Sequence, residues 1–494
     1  MRPALIPIAL ALALAAGCGT PVQNPVTGET ERTVMDEREE LQAGREQHKQ
    51  VLAEYGVVQD ESLQAYVRDI GLRLARNSER PHLDWHFTVL DSPEVNAFAL
   101  PGGYIYVTRG IMAYMDSEAD LAGVIGHEIG HVTARHSAQR ATRAQTAGIG
   151  VLAATVLGAI LEGRGVSGAG ELASDLSQTV AAGYIARYSR EQELQSDRLG
   201  AQYLSRTGYD PRNMLDVLQV LRNQERFAAD LARAEGRSPR QGNDWLASHP
   251  TNEQRIRDMQ QIVAQYPARG AADDARSRYL QRVNGLAFGE SREQGVTRGR
   301  NFFHEPLGFA ITAPAGWKIE NQAEALALVN GEANAGLILQ MVPPKAGNSH
   351  EEILRNLVQS GSTDRYSIRG MPATHFIGTR RDSQGRTQQL EGTVVTGPGN
   401  RHYLFLYSAA DAAALQRART QLREAESSFR ALSASERAAA KPWTLRTVPY
   451  PRGGFAELAR SSPLPNAEAQ LRLLNGFYAG GAPQPGQLVK TVVE

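Results

Sequence analysis

The chain has 494 residues, enough for about three domains. With 41% hydrophobic and 21% charged residues it is too apolar to be a disordered chain. Its 53 basic and 53 acidic residues cancel, so nothing in the charge balance favours nucleic acid.

The N-terminus, MRPALIPIALALALAAGCGT, sets Arg2 before an apolar run from Leu5 to Ala16. That run is too short to span a bilayer and has the layout of a signal peptide, residues 1–17. Leu14-Ala15-Ala16-Gly17-Cys18 resembles a bacterial lipobox. The resemblance implies a lipid on Cys18 and, because Gly19 rather than Asp follows, sorting to the outer membrane. Cys18 is also the sole cysteine, so no disulfide can form within the chain. Residues 18–35 are polar and rich in turn formers, a tether from lipid to body.

Helical spacing begins near Asp36. In DESLQAYVRDIGLRLARNS it puts Leu63, Tyr66, Val67, Ile70 and Leu74 on one face. WHFTVLDSPEVNAFALPGGYIYVTRG predicts strand, turn and strand, with the turn at Gly102-Gly103. Ser117 then starts a helix with Glu118 and Asp120 in its first turn. The run from Thr146 to Leu161 is apolar but shorter than the roughly 20 residues of a membrane span. It reads as a buried helix, with membrane contact as the alternative. A further helix runs through YSREQELQSDRLGAQYLSRTG, and more follow to about Tyr266. Residues 269–300 are a charged, mixed linker. From 301 to 436 strands and helices mix in a separate α+β domain. Lys441-Pro442 opens a last segment, 442–494, of strand, helix, helix and strand.

The chemistry-bearing stretch is VIGHEIGHVTARH, Val124 to His136. Positions four apart on a helix differ by about 40° and share a face. His127 and His131 can therefore aim their imidazoles at one ion, with Glu128 beside them. Zinc suits imidazole and carboxylate, and a catalytic site leaves one position for water. Glu128 would take that water's proton. A third ligand is needed. In the pattern HExxHxxGxxH it would be a histidine, but here Ala134 and Ser137 stand at the glycine and last histidine positions. His136 sits about 180° from His127 around the helix and would point away from the ion, so it reads as structural. The other source is a second helix, where Glu193 and Asp197 share a face. Glu193 can bind the ion, and Asp197 can fix the tautomer of a ligand histidine. Glu191 is the rival ligand, about 160° away and without an Asp at i+4.

NAFALPGGYIYVTRGIM, GHEIGHVTARHSAQR, YSREQELQSDRLG and SHPTNEQRI resemble, in that order, the gluzincin metallopeptidases of the HtpX/BepA type, relatives of the CAAX prenyl endopeptidases. The likeness covers residues 36–268. It implies a mainly α-helical zincin-type domain with a small sheet, holding one zinc ion. It assigns His127, His131 and Glu193 as ligands and Glu128 as the base. QSD stands where many relatives have EAD, which leaves Glu193 and Asp197 in place. The lipobox puts this chain with the periplasmic, lipid-anchored branch, which acts in quality control of envelope proteins.

Two further assignments are open. The strand at Asn96 and Ala97 offers an edge to an extended peptide, or is simply core. His249, on a Pro-flanked loop, can hold the zinc's open position, steady an oxyanion, or cap the next helix. The middle domain resembles PsbP/Mog1-like α/β sandwiches and reads as a positioning domain. The last segment resembles a small βααβ LysM-like domain through LLNG and PGQLVK, which implies peptidoglycan binding. RGG in place of the usual GDT counts against it.

The expectation is thus a multidomain α+β chain, a zinc endopeptidase cutting unfolded or misassembled envelope proteins. Outer-membrane assembly machinery is a further partner. The rival is a chaperone or assembly factor on a latent protease scaffold, and a cell-wall hydrolase ranks below both.

Overall fold

Capping chemistry sets where the helices begin. In the computed structural model, residues 20–146, 188–234, 236, 249, 253–267, 274–322, 325–381 and 387–494 are described. The expected signal peptide, Cys18 and the apolar run beyond Thr146 lie outside them. Among the described residues no helix is long and apolar enough to cross a membrane. The chain mixes helix and strand and divides into two units, one of them built from the described residues among 20–146, 188–288 and 444–493.

A hairpin of β1 (Thr20–Gln23) and β2 (Thr30–Thr33) leads to α1 (Glu37–Tyr55) and α2 (Glu61–Ala75). Asp36 accepts the backbone N–H of Glu39 at 2.8 Å, and Asp60 that of Leu63 at 3.0 Å. Each thereby satisfies a first-turn donor that the helix cannot. The face of α2 picked out by spacing is the one it buries. Next come β3 (His86–Leu90), β4 (Ala97–Leu100) and β5 (Tyr104–Thr108). They form one sheet in the order β3–β5–β4, with β3 parallel and β4 antiparallel to β5. Gly102 and Gly103 make the β4–β5 turn at φ +81° and +98°, a region that favours glycine.

A short helix, α3 (Arg109–Tyr114), precedes α4 (Glu118–Thr133), whose sixteen residues are all buried. Ser117 caps α4 reciprocally with Asp120: Ser117 Oγ accepts the Asp120 N–H, and the Asp120 carboxylate accepts that of Ser117, both at 3.1 Å. Then follow α5 (His136–Thr146), α6 (Arg190–Thr207), α7 (Asn213–Ala234) and α8 (Glu253–Val263). The stretch expected as a linker contains α9 (Arg276–Val283) and β6 (Ala287–Phe288).

α4 and α6 meet backbone to backbone. A Cβ on Gly130 would lie 3.1 Å from Cα of Ser196, and one on Gly200 would lie 3.2 Å from the His127 nitrogen. Small residues on both helices bring the two motif-bearing surfaces together.

The other unit contains residues 289–443. Its strands are β7 (Val296–Arg298), β8 (Asn301–His304), β9 (Phe309–Thr312), β10 (Lys318–Asn321), β11 (Leu326–Val329), β12 (Ala335–Met341), β13 (Ser360–Ile368), β14 (Met371–Arg381), β15 (Thr387–Thr396), β16 (His402–Ala409) and β17 (Arg430–Ala431). They make a seven-stranded antiparallel sheet, β10–β11–β12–β16–β15–β14–β13, and a four-stranded one, β17–β9–β8–β7. Its helices are α10 (His350–Leu357), α11 (Ala412–Ser427) and α12 (Ala434–Ala439). Successive residues of β16 point to opposite faces: Tyr403 and Phe405 join the core with Leu422 of α11, while Leu404 and Leu406 pack with Ile353 of α10.

The chain closes with β18 (Trp443–Pro449), α13 (Gly454–Ala459), α14 (Ala467–Leu474) and β19 (Leu488–Val493). From Thr444 this segment belongs to the first unit, and β18 pairs with both β19 and β6.

Candidate metal centre

α4 and α6 bring the two sequence motifs onto one point. Ligand atoms of His127, His131, Glu193 and His249 all lie within 4.8 Å of one another, and all four residues are buried. Nε2 of His127 and Nε2 of His131 face each other at 3.0 Å. The Glu193 carboxylate stands 3.5 Å from each of them. Glu128, fully buried, is on the same helix, 3.6 Å from Nε2 of His249.

The surroundings fix which nitrogens carry protons. Asp197 lies 2.9 Å from Nδ1 of His127, so a proton on that nitrogen faces the carboxylate, and Nε2 presents a lone pair inward once the ring gives up its second proton. His131 is held by a longer chain. Its Nδ1 meets Nδ1 of His136 at 2.8 Å, and Nε2 of His136 meets Oε1 of Gln195 at 2.8 Å. An amide oxygen only accepts, so His136 carries its proton on Nε2 and accepts from His131 on Nδ1. His131 therefore also turns a bare Nε2 inward.

His136 does not join the cluster, but the projection that set it on the far side fails. α4 ends at Thr133, Arg135 turns at φ +59°, and His136 starts α5 folded back on His131. A helical wheel holds only while the helix continues. The ring of Tyr188 stacks on His131, centroids 3.8 Å apart.

Arg255 of α8 joins the two carboxylates of α6. It donates to both oxygens of Asp197 at 2.7 and 2.8 Å and meets Glu193 at 2.8 Å. Burial opposes ionisation of both acids. Contact with His249 and the charge of Arg255 nevertheless hold Glu193 well below the usual carboxylate range, and Arg255 helps bring Asp197 down to about 2. Burial pushes His249 down to about 4 and holds His131 well below the imidazole range. Burial opposes a charge on His127, yet Asp197 and Glu193 raise it to about 9, so a cation must displace its proton; with that proton gone, ionised carboxylate and neutral imidazoles form the donor set a borderline cation such as zinc takes. Proton and metal compete for the same lone pairs.

Of the other predicted residues, His249 reaches the cluster, its Nδ1 2.9 Å from Glu193 and 3.2 Å from Nε2 of His127. Asn96 and Ala97 sit at the sheet edge on and before β4, which packs against α4, yet both are fully buried. Neither side-chain polar atom of Asn96 has a hydrogen-bond partner among the described residues. Arg255, Gln195 and Tyr188 were missed by sequence reasoning. Arg255 had a signal, since it lies in SHPTNEQRI, six residues after His249.

The arrangement is one that a metal-dependent hydrolase can use. Residues 61–263 match the profile of Peptidase family M48. The chain is similar to the beta-barrel assembly-enhancing protease of Escherichia coli, 30% identical over 281 residues, 56% of this chain and 53% of that protein. It is also similar to the protein of the same name from Yersinia pestis, 31% identical over 216 residues, 42% of this chain and 41% of that protein. A third relative is the mitochondrial metalloendopeptidase OMA1 of Arabidopsis thaliana, 29% identical over 188 residues, 38% of this chain and 33% of that one. The chain spans about half or less of the length of these curated relatives. Site and matches together support a metalloendopeptidase domain, a hydrolase of peptide bonds.

Proposed function

We propose that the chain is a zinc endopeptidase of the bacterial envelope that cuts unfolded or misassembled outer-membrane proteins. The observation that carries this reading is the convergence of His127, His131 and Glu193 beside Glu128. His127 and His131 would hold the ion through Nε2 and Glu193 through its carboxylate. A zinc ion bound there would acidify the attacking water and polarise the scissile carbonyl. Glu128 would accept the water's proton and pass it to the amine nitrogen as the peptide bond breaks. Asp197, Arg255, His136 and Gln195 orient the ligands. The lipobox supports an anchor at Cys18 and a periplasmic place at the outer membrane. The names of the Escherichia coli and Yersinia pestis relatives support β-barrel proteins as substrates and their assembly machinery as a partner.

Substrate would add as a strand along β4, with the orphan amide of Asn96 as a contact; its burial requires the covering residues to move aside. The LysM-like segment supports peptidoglycan contact more weakly. His249 favours a second reading. It stands where a fourth ligand would, so the site is closed at rest and the chain serves in part as an assembly factor.

The test is zinc per molecule and cleavage of an unfolded β-barrel protein by wild type and Glu128→Gln. About one zinc in both, with cleavage lost about 100-fold or more in the variant, is expected. A folded protein without zinc overturns the proposal; zinc without cleavage in either leaves the assembly-factor reading.

A further inference from the structure

The C-terminal segment carries a buried cation that the peptidase chemistry does not use. Lys490 of β19 has no exposed surface. Its Nζ donates to the carbonyls of Ala113 at 2.9 Å and Met115 at 2.5 Å, and lies 4.0 Å from Asp116. Ala113 and Met115 are at the end of α3, and Asp116 directly precedes Ser117, the cap of α4. The last carbonyls of a helix have no partner within it, and a buried ammonium persists only where it is paired. Burial pushes Lys490 down to about 8, with Arg276 acting the same way and Asp116 and Asp120 opposing.

The strand that delivers Lys490 is itself locked. Asn475, in the LLNG motif, donates to the Lys490 carbonyl and accepts its N–H, both at 2.8 Å. A second arm comes from α9. Arg276 grips Asp116 at 2.5 and 3.0 Å and donates to the Leu488 carbonyl of β19 at 2.9 Å. The Ala119 N–H, in the first turn of α4, donates to the Asp274 carbonyl at 3.2 Å.

We infer that β19 is a working part of the peptidase unit and that Lys490 is a positioning residue, fixing the α3–α4 turn and with it the line along which α4 carries His127 and His131. The inference rests on these histidines being metal ligands. His127 lies roughly 15 Å along α4 from its cap, so a tilt of about 5° at the turn moves its ring by about 1 Å. Metal–ligand distances tolerate only about 0.2 Å.

The test compares full-length Lys490→Met, Lys490→Arg and Arg276→Gln with wild type. It reads amide exchange over residues 113–121 without metal, Co2+ affinity by chelator competition, and the visible spectrum of bound Co2+. Lys490→Met should speed that exchange and weaken Co2+ binding, each about tenfold or more, and shift the spectrum. Lys490→Arg, which can donate to the same carbonyls, should restore most of both. Lower thermal stability with unchanged Co2+ affinity and spectrum overturns the proposal, since a plain structural staple would behave so. Should Lys490→Met not fold, Arg276→Gln decides: unchanged exchange and Co2+ affinity sink the idea. Wild-type Co2+ affinity in His131→Ala would instead show the ligand reading to be wrong, and the exchange at 113–121 still decides the clamp.

Discussion

Asp197 lies 2.9 Å from Nδ1 of His127, and this contact decides which ring nitrogen faces the cluster. Arg255 holds the aspartate from its other side. Asp197→Ala should leave His127 free to turn or change tautomer. Metal affinity is expected to fall about 10- to 100-fold, read by chelator competition. Unchanged affinity would mean that packing alone orients the ring.

Gln195 does for His131, through His136, what Asp197 does directly for His127. Gln195→Leu removes the acceptor for His136 Nε2, and metal affinity should drop roughly tenfold. The two relays reach different histidines, so the double variant should show near-additive losses. Strong non-additivity would show that they act as one.

His249 touches Glu193 and His127. Under the proposed function it is a resting plug. His249→Ala should then raise cleavage of an unfolded substrate several-fold while zinc stays bound. A fall in turnover at constant zinc content would assign it to the oxyanion instead.

Asp120, in the first turn of α4, is pushed up to about 6 by burial, with the charge of Asp116 adding to it and bonds from Asn213 and backbone N–H groups opposing. The folded state thus keeps a proton that the unfolded chain releases from about pH 4 upward. The group's contribution is full below pH 4 and is lost as pH rises through 6. Stability of wild type relative to Asp120→Asn should decline by roughly 2 kcal/mol between pH 4 and 7. A flat difference across urea unfolding curves at pH 4, 5, 6 and 7 would refute this.

What the sequence carried was whatever one helical turn decides. His127, His131 and Glu128 share α4, and Glu193 and Asp197 share α6, because i to i+4 spacing is a backbone property. The buried face of α2 was legible for the same reason. His136 was misread because Arg135 stops the helix, and one residue at φ +59° leaves little trace in composition. Arg255 meets Asp197 from 58 positions away, a tertiary contact that spacing cannot report. β3 beside β5 is likewise a parallel pairing fixed by the fold rather than by a turn.

The bond from Lys490 to Ala113 closes a loop of 377 residues. Contacts of such separation form late, after local ones. During synthesis the helix bearing the histidines is complete long before β19 has left the ribosome. Until then the carbonyls of Ala113 and Met115 lack their donor. A nascent copy therefore carries the histidine helix without the brace inferred from β19, and the order of synthesis itself delays that contact.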